Sequence, residues 1–321
     1  MSYAGPEFDP FQPRRPRRRT LTVAVAVLVP AALAGWLVYE AVADTGGGRA
    51  GAAPATRSPA HSPNADSPTD DGGRTVAPPA PRPAPTAPAG TAAPAASGPL
   101  KGKVVVIDPG HNPGNFRHTA EINRKVDIGT NRKECDTTGT STNSGYTEAR
   151  FTLDVARRLR ALLQAQGATV KFTQDGDRPW GPCVDERARI GNEAHADAAI
   201  SIHADGASAG DRGFHVILPA SVHAGAADTR PVVAPSRDLG ERIAGNFVRV
   251  TGSAPADYVG GGTGLVVRND LGGLNLSTVP KVFIECGNMR DTKDAALLTS
   301  GGWRQKAAQG ISEGIVSFLR G

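Results

Sequence analysis

Two histidines and two glutamates stand at positions where one crevice could gather them: His111, Glu148, His203 and Glu285. Three of them follow apolar, β-branched runs that read as strands. His111 comes after Lys103-Val-Val-Val-Ile107 and the turn Asp108-Pro109-Gly110. His203 closes Ala198-Ala-Ile-Ser-Ile202, and Glu285 closes Lys281-Val-Phe-Ile284. In an open α/β sheet, ligands collect beyond the carboxyl ends of the strands. Glu148 opens a long amphipathic stretch, so it can face the same crevice from the start of a helix. Two imidazoles and one carboxylate form a zinc ligand set that leaves one position for water. A second carboxylate is then free to carry a proton. The pattern predicts a zinc hydrolase with His111, Glu148 and His203 as metal ligands and Glu285 as the catalytic residue.

Each residue also has a plainer reading. His111 alone could be an exposed turn histidine, and His203 a hydrogen-bonded strand-end histidine. Glu148 alone could be a first-turn carboxylate that complements the helix dipole. Glu285 is harder to explain away. A carboxylate directly after Val282-Phe-Ile284 needs a partner, a metal or a catalytic task. Burial there should raise its pKa, which suits a group that accepts and returns a proton near neutrality. A zinc-bound His203 needs an acceptor for its other ring nitrogen, and Asp205 or a backbone carbonyl is expected in that role. His118 and Glu121 are within chain reach of a metal. His195 is expected to cap a helix end, His215 to pack on the sheet, and Arg268 and Asn269 to line the pocket or lie in solvent.

The elements that must position these side chains alternate. Lys103–Ile107 reads as a strand covered on both faces. Glu148–Gln166 carries Phe151, Val155, Leu159, Leu162 and Leu163 at helical spacing, with Thr147 as N-cap and Gly167 as terminator. Strands are expected at Thr169–Thr173, Ala198–Ile202, Phe214–Leu218, Leu265–Val267 and Val282–Ile284. Helices are expected at Asp185–Ala196, Arg237–Val250 and Leu297–Leu319, the last broken near Ser300-Gly301-Gly302. Alternation of this kind predicts an α/β single domain: a twisted mixed, mainly parallel sheet flanked by helices. Asn112–Thr147 and the glycine-rich Ala254–Thr263 read as irregular, and long loops in compact domains are usually functional.

That domain is expected over residues 101–321 of the 321-residue chain. Residues 40–100 are mostly Ala, Pro, Thr, Ser and Gly, with too few large apolar side chains to offset ordering entropy. They read as a disordered linker, reaching at most about 3 Å per residue. Residues 20–39 are almost wholly apolar, and about 20 such residues suffice to span a bilayer. Residues 1–19 hold Arg14, Arg15, Arg17, Arg18 and Arg19, which the positive-inside rule keeps in the cytoplasm. The length favours an uncleaved transmembrane anchor. A cleaved signal peptide ending at Ala41-Val42-Ala43 is the alternative. Either way the domain is expected outside the cytoplasm, membrane-anchored or secreted to the cell wall. The same arginines supply much of the net charge of +5. With few aromatics and mixed charges on the domain, no nucleic-acid partner is expected. In an oxidising compartment Cys135 and Cys183 are expected to pair, and Cys286, on the opposite strand face from Glu285, to serve as a small buried hydrophobe.

Taken together, Ile107-Asp-Pro-Gly-His111, Glu148 at a helix start, Ser201-Ile-His203-Ala204-Asp205 and Val282-Phe-Ile-Glu285-Cys-Gly-Asn288 resemble the zinc-dependent N-acetylmuramoyl-L-alanine amidases of bacterial cell walls. Thr173-Gln-Asp-Gly-Asp177-Arg178, Glu186-Arg187-Ala-Arg-Ile190 and Arg268-Asn-Asp-Leu271 add to the likeness, which runs from about Lys103 to Phe318. The resemblance implies Zn²⁺ on His111, Glu148 and His203, with Glu285 as the proton carrier. It implies hydrolysis of the amide between N-acetylmuramic acid and the L-alanine of the stem peptide. Peptidoglycan or muropeptides would be the partners, the membrane a further one through the N-terminal segment, and the protein a monomer. Two other readings stand beside it: a non-catalytic wall-binding module on the same scaffold, which would not need Glu285, and a zinc carboxypeptidase acting on wall peptides. That group more often carries His-x-x-Glu on one segment, a pattern not found here.

Overall fold

The computed structural model describes residues 98–321. The basic N-terminus 1–19, the apolar segment 20–39 and nearly all of the linker 40–100 lie outside the described residues. Among the described residues no helix is long and apolar enough to cross a membrane.

The β-branched run at the start of the domain folds as β1 (Val104–Pro109), buried along nearly its whole length. The segment after it, expected to be irregular, holds a short helix α1 (Thr119–Ile122) and a small hairpin of β2 (Lys125–Asp127) and β3 (Arg132–Glu134). Strands of three residues are too short to show a period, which is why the sequence hides them. Helix α2 (Glu148–Ala165) leads into β4 (Thr169–Phe172), which pairs parallel with β1. Helix α3 (Val184–Glu193) leads into β5 (Ala198–Asp205) on the other side of β1.

The chain continues through β6 (His215–Pro219), a two-residue hairpin of β7 (His223–Ala224) and β8 (Ala227–Asp228), and α4 (Val233–Thr251). Then come β9 (Leu265–Arg268), the single turn α5 (Gly272–Asn275) and β10 (Lys281–Asn288). The predicted C-terminal helix is two helices, α6 (Thr292–Thr299) and α7 (Gly301–Arg320), separated at Ser300, whose hydroxyl accepts from the Trp303 N–H. Thr147 occupies the N-cap position of α2, but its side chain does not cap.

The sheet order is β4-β1-β5-β10-β6-β9. Only the β10–β6 pairing is antiparallel, so the sheet is mixed and mainly parallel, as expected. One face buries Ile107, Ile200, Val282 and Leu218 under α2, α4 and α7, through Phe151, Leu159, Ile243, Phe247 and Ile311. Each such side chain contributes about 1.5–3 kcal/mol of burial free energy. The opposite face buries Val106, Ala199, Ile217 and Phe283 in smaller clusters. Strand alternation puts Asp108, Ser201, His203 and Glu285 on this second face. β5 and β10 run past their expected ends, so His203 and Glu285 lie inside strands. They sit side by side in the parallel register, just before a bulge in β10.

Candidate functional site

His111 lies two residues beyond β1 with φ 61°, in the left-handed region that side chains with a β-carbon disfavour. Two buried donors hold its carbonyl: Arg187 Nη2 at 3.0 Å and Gln174 Nε2 at 2.9 Å. That turn aims the ring at the crevice. Its Nε2 lies 3.2 Å from Glu148 Oε1, while Nδ1 faces the Thr137 carbonyl at 3.1 Å. Gly110 makes the approach of the two imidazoles possible, because a β-carbon there would fall 2.3 Å from the His203 ring.

Glu148, at the first position of α2, is buried. Its Oε1 lies 2.9 Å from His203 Nδ1 and accepts the Ala204 N–H, and its Oε2 accepts the Thr140 N–H at 2.9 Å. His203 turns its other nitrogen, Nε2, to Ser201 Oγ at 3.1 Å, and its ring stacks on Phe283 at 5.2 Å. The partner of that second nitrogen is therefore Ser201, not Asp205. The two residues share a strand face at i and i−2, whereas Asp205 accepts from the Tyr258 hydroxyl at 2.8 Å.

One ligand atom each from His111, Glu148 and His203 lies within 4.8 Å of the other two. Four ligands around zinc are spaced by about 3.4 Å at ordinary Zn–N and Zn–O lengths, so the two measured separations to Glu148 fit with small shifts. Two imidazole nitrogens and a carboxylate oxygen also have the right chemistry, and each ring's remaining nitrogen faces a polar group. This is a possible metal site. Its electrostatics favour a positive charge, whether a proton or a metal cation. Burial would raise the Glu148 pKa, but the charge of His111 and hydrogen bonds from both histidines hold it well below the usual carboxylate range. Burial would lower that of His111, and Glu148 and Asp136 outweigh it and hold it well above the ordinary value.

Glu285 is the neighbour of His203 in register. Its Oε2 is sealed from solvent and has no hydrogen-bond partner among the described residues. Burial, then the negative charges of Glu148 and Asp205, push its pKa well above the ordinary value, against the pull of His111 and Arg268. Arg268 is held by Asp270 at 2.7 Å. His118 pairs with Glu121 at 3.3 Å, and neither belongs to the three-residue cluster. His195 follows the end of α3 with φ 46°, and His215 is buried on β6 opposite Glu285.

Beneath the site runs a charge network that sequence reading missed. Arg187, Asp108 and Lys281 are all nearly inaccessible to solvent. Asp108 receives Arg187 Nη1 at 2.8 Å and Lys281 Nζ at 3.0 Å. Arg187 also donates to the Pro109 carbonyl and to Asp136 Oδ2 at 2.9 Å. Cys135, next to Asp136, is disulfide-bonded to Cys183, the N-cap residue of α3. Cys286 is a buried free thiol, as expected. A pocket of about 210 Å³ opens beside His111 and His203, with Lys133, Glu134 and Asp270 among its lining.

Comparison with known proteins agrees with this geometry. Residues 105–317 match the family described as N-acetylmuramoyl-L-alanine amidase. The N-acetylmuramoyl-L-alanine amidase Rv3717 of Mycobacterium tuberculosis is 41% identical over 225 residues, covering 68% of this chain and 88% of the relative. The crystal structure of the amidase Ami1 from Mycobacterium smegmatis superposes with a TM-score of 0.63 at 40% identity, covering 70% of this chain and 99% of that one. Ami1 from Mycobacterium abscessus gives a TM-score of 0.62 at 40% identity, covering 68% and 100%. The match spans all four candidate residues, and the chain belongs to the N-acetylmuramoyl-L-alanine amidase family.

Proposed function

We propose that this protein is a zinc hydrolase that cleaves the amide between N-acetylmuramic acid and the L-alanine of the stem peptide in peptidoglycan. The observation that carries the reading is the convergence of His111 Nε2, Glu148 Oε1 and His203 Nδ1, with Glu285 beside them on the same sheet face. These three atoms would hold the ion. Zinc in such a set supplies Lewis acidity, acidifying water and polarising an amide carbonyl.

The chain's own groups do the rest. Glu285 takes a proton from the attacking water as oxygen adds to the lactyl carbonyl carbon. When the C–N bond breaks, Glu285 returns that proton to the departing nitrogen of L-alanine. The products are a lactyl carboxylic acid and a free amine. A carboxylate with a raised pKa binds the proton tightly enough to carry it between the two steps. Ser201 donates its hydroxyl to the Asp108 carbonyl and is left to accept from His203 Nε2, and the Thr137 carbonyl and Asp136 accept from His111 Nδ1.

The basic segment 1–19 and the apolar segment 20–39 place the domain outside the cytoplasm in this reading, as anchor or export signal, and the linker 40–100 sets its reach to the wall. No nucleic acid takes part, and the enzyme acts as a monomer. Digestion of purified wall fragments, with the new ends identified by mass spectrometry, tests the reaction. Release of stem peptides beginning at a free L-alanine amine supports it. Cleavage between two amino acids of the peptide would point to the carboxypeptidase reading.

A further inference from the structure

A second opening, lined by different residues from the pocket beside His111 and His203, adjoins the metal-ligand side chains. It is a groove of about 440 Å³ between the turn after β1 and the segment leading into α2. Its inner end is Gly139, which presses on the site: a β-carbon there would fall 2.7 Å from both Glu148 Oε2 and the His111 ring. Its lining includes Phe116. At 63% exposure this is the most exposed large apolar side chain among the described residues. A lone exposed ring is ordinary on a flat surface, but this one lines a concave opening next to the candidate site, where aromatic side chains commonly meet ligands.

The ring stands on a fixed support. Asn115, fully buried, donates to the Thr137 carbonyl at 2.7 Å and accepts the Gly181 N–H at 2.9 Å. The Arg117 guanidinium lies 5.0 Å from the Phe116 ring centre and covers one face. The remaining lining is neutral. No charged side chain contributes to it, and the hydroxyls of Thr140, Ser141 and Thr147 make no hydrogen bond to another described residue.

We infer that this groove holds the glycan strand, with Phe116 stacked on a pyranose ring. The inference rests on the amidase reading and assigns a direction to its substrate. A pyranose offers a flat C–H face for an aromatic ring, and neutral hydroxyl and acetamide groups for neutral side chains. The stem peptide carries carboxylates and an amine, for which this groove offers no ionic partner. The pocket beside His111 and His203 has Lys133, Glu134 and Asp270 in its lining, with Lys133 and Asp270 paired at 3.0 Å, together with Val184, Leu271 and Phe283. The scissile amide joins these two halves, so they leave the metal centre in different directions. A groove that is aromatic and uncharged suits the sugar, and a pocket of mixed ionic and apolar lining suits the peptide.

Calorimetric titration of the full chain with peptide-free glycan oligosaccharides, and separately with free stem peptide, tests this. Phe116→Ala is expected to weaken glycan binding by about tenfold, the worth of one aromatic stacking contact. Phe116→Trp should keep it, and stem-peptide affinity should stay at the parent value in both variants. The ring is exposed, so neither substitution threatens folding. Unchanged glycan affinity in Phe116→Ala, a loss that falls on the peptide instead, or no glycan binding by the parent chain would each overturn the assignment. Product analysis of wall digests separates the two claims: a chain that releases stem peptides at L-alanine without binding glycan here keeps the amidase reading and loses this one.

Discussion

The carboxylate of Asp136 lies 3.4 Å from Nδ1 of His111. Its other oxygen is held by Arg187, and the same guanidinium holds the His111 carbonyl. Burial would raise the Asp136 pKa, but Arg187 and His111 bring it down to about 2, so a negative charge is kept behind the ring. Such a charge raises ligand basicity and fixes the tautomer. Asp136→Asn keeps the shape and removes the charge. It should weaken zinc binding by about 10- to 100-fold, measured by competition with a chromophoric chelator. Unchanged affinity would mean that the carboxylate has only a packing role.

Asp108 makes acid stability predictable. Burial would raise its pKa, but Lys281 and Arg187 hold it far below the ordinary carboxylate range. The unfolded carboxyl titrates near 3.9, so on acidification the unfolded chain takes up this proton first. The stabilisation is therefore complete above about pH 5 and is lost progressively as the pH falls below about 4. Asp108→Asn leaves the buried Lys281 without its carboxylate and Arg187 with Asp136 alone, and should cost about 3–5 kcal/mol at pH 7. In urea unfolding, the gap between parent and variant should narrow from pH 5 to pH 3. Parallel curves would contradict this.

What the sequence disclosed follows from which physics is local. The convergence of His111, His203 and Glu285 was legible because each follows a β-branched run, and that of Glu148 because it opens an amphipathic helix. The mixed, mainly parallel sheet flanked by helices followed from alternation of elements, whereas its strand order did not. Arg187 was legible only in hindsight: it lies on the apolar stripe of α3, three residues after Val184, where a cation must find buried partners. Its partners Asp108 and Asp136 come from distant segments that only the fold brings together. Ser201 was missed although period two placed it on the face of His203. The β2–β3 hairpin was missed because three-residue strands leave no pattern, and Phe116 because an exposed aromatic has no sequence signature.

The disulfide joins the loop that carries Asp136 to the start of the helix that carries Arg187. It closes a sequence separation of 48 residues. Replacing both Cys135 and Cys183 by serine should lower the unfolding free energy by about 4 kcal/mol on the chain-entropy model. Urea unfolding with and without reductant checks this. Coincident midpoints would show that the bridge adds nothing.

Glu285→Gln separates proton transfer from metal binding. The variant keeps the side-chain volume and should bind zinc as the parent does. Its kcat should fall by about a hundred- to ten-thousand-fold, the range for losing a general acid–base. Near-parent turnover with zinc in place would assign the proton to another group.

The most direct test of the whole account is activity on wall fragments as zinc is removed and returned, followed by mass spectrometry of the released ends. The account predicts that chelation abolishes release of L-alanine-ended stem peptides, that stoichiometric zinc restores it, and that His203→Ala blocks the restoration. Cleavage that persists in the stripped protein, or that occurs at a bond other than the muramyl–alanine amide, would contradict it.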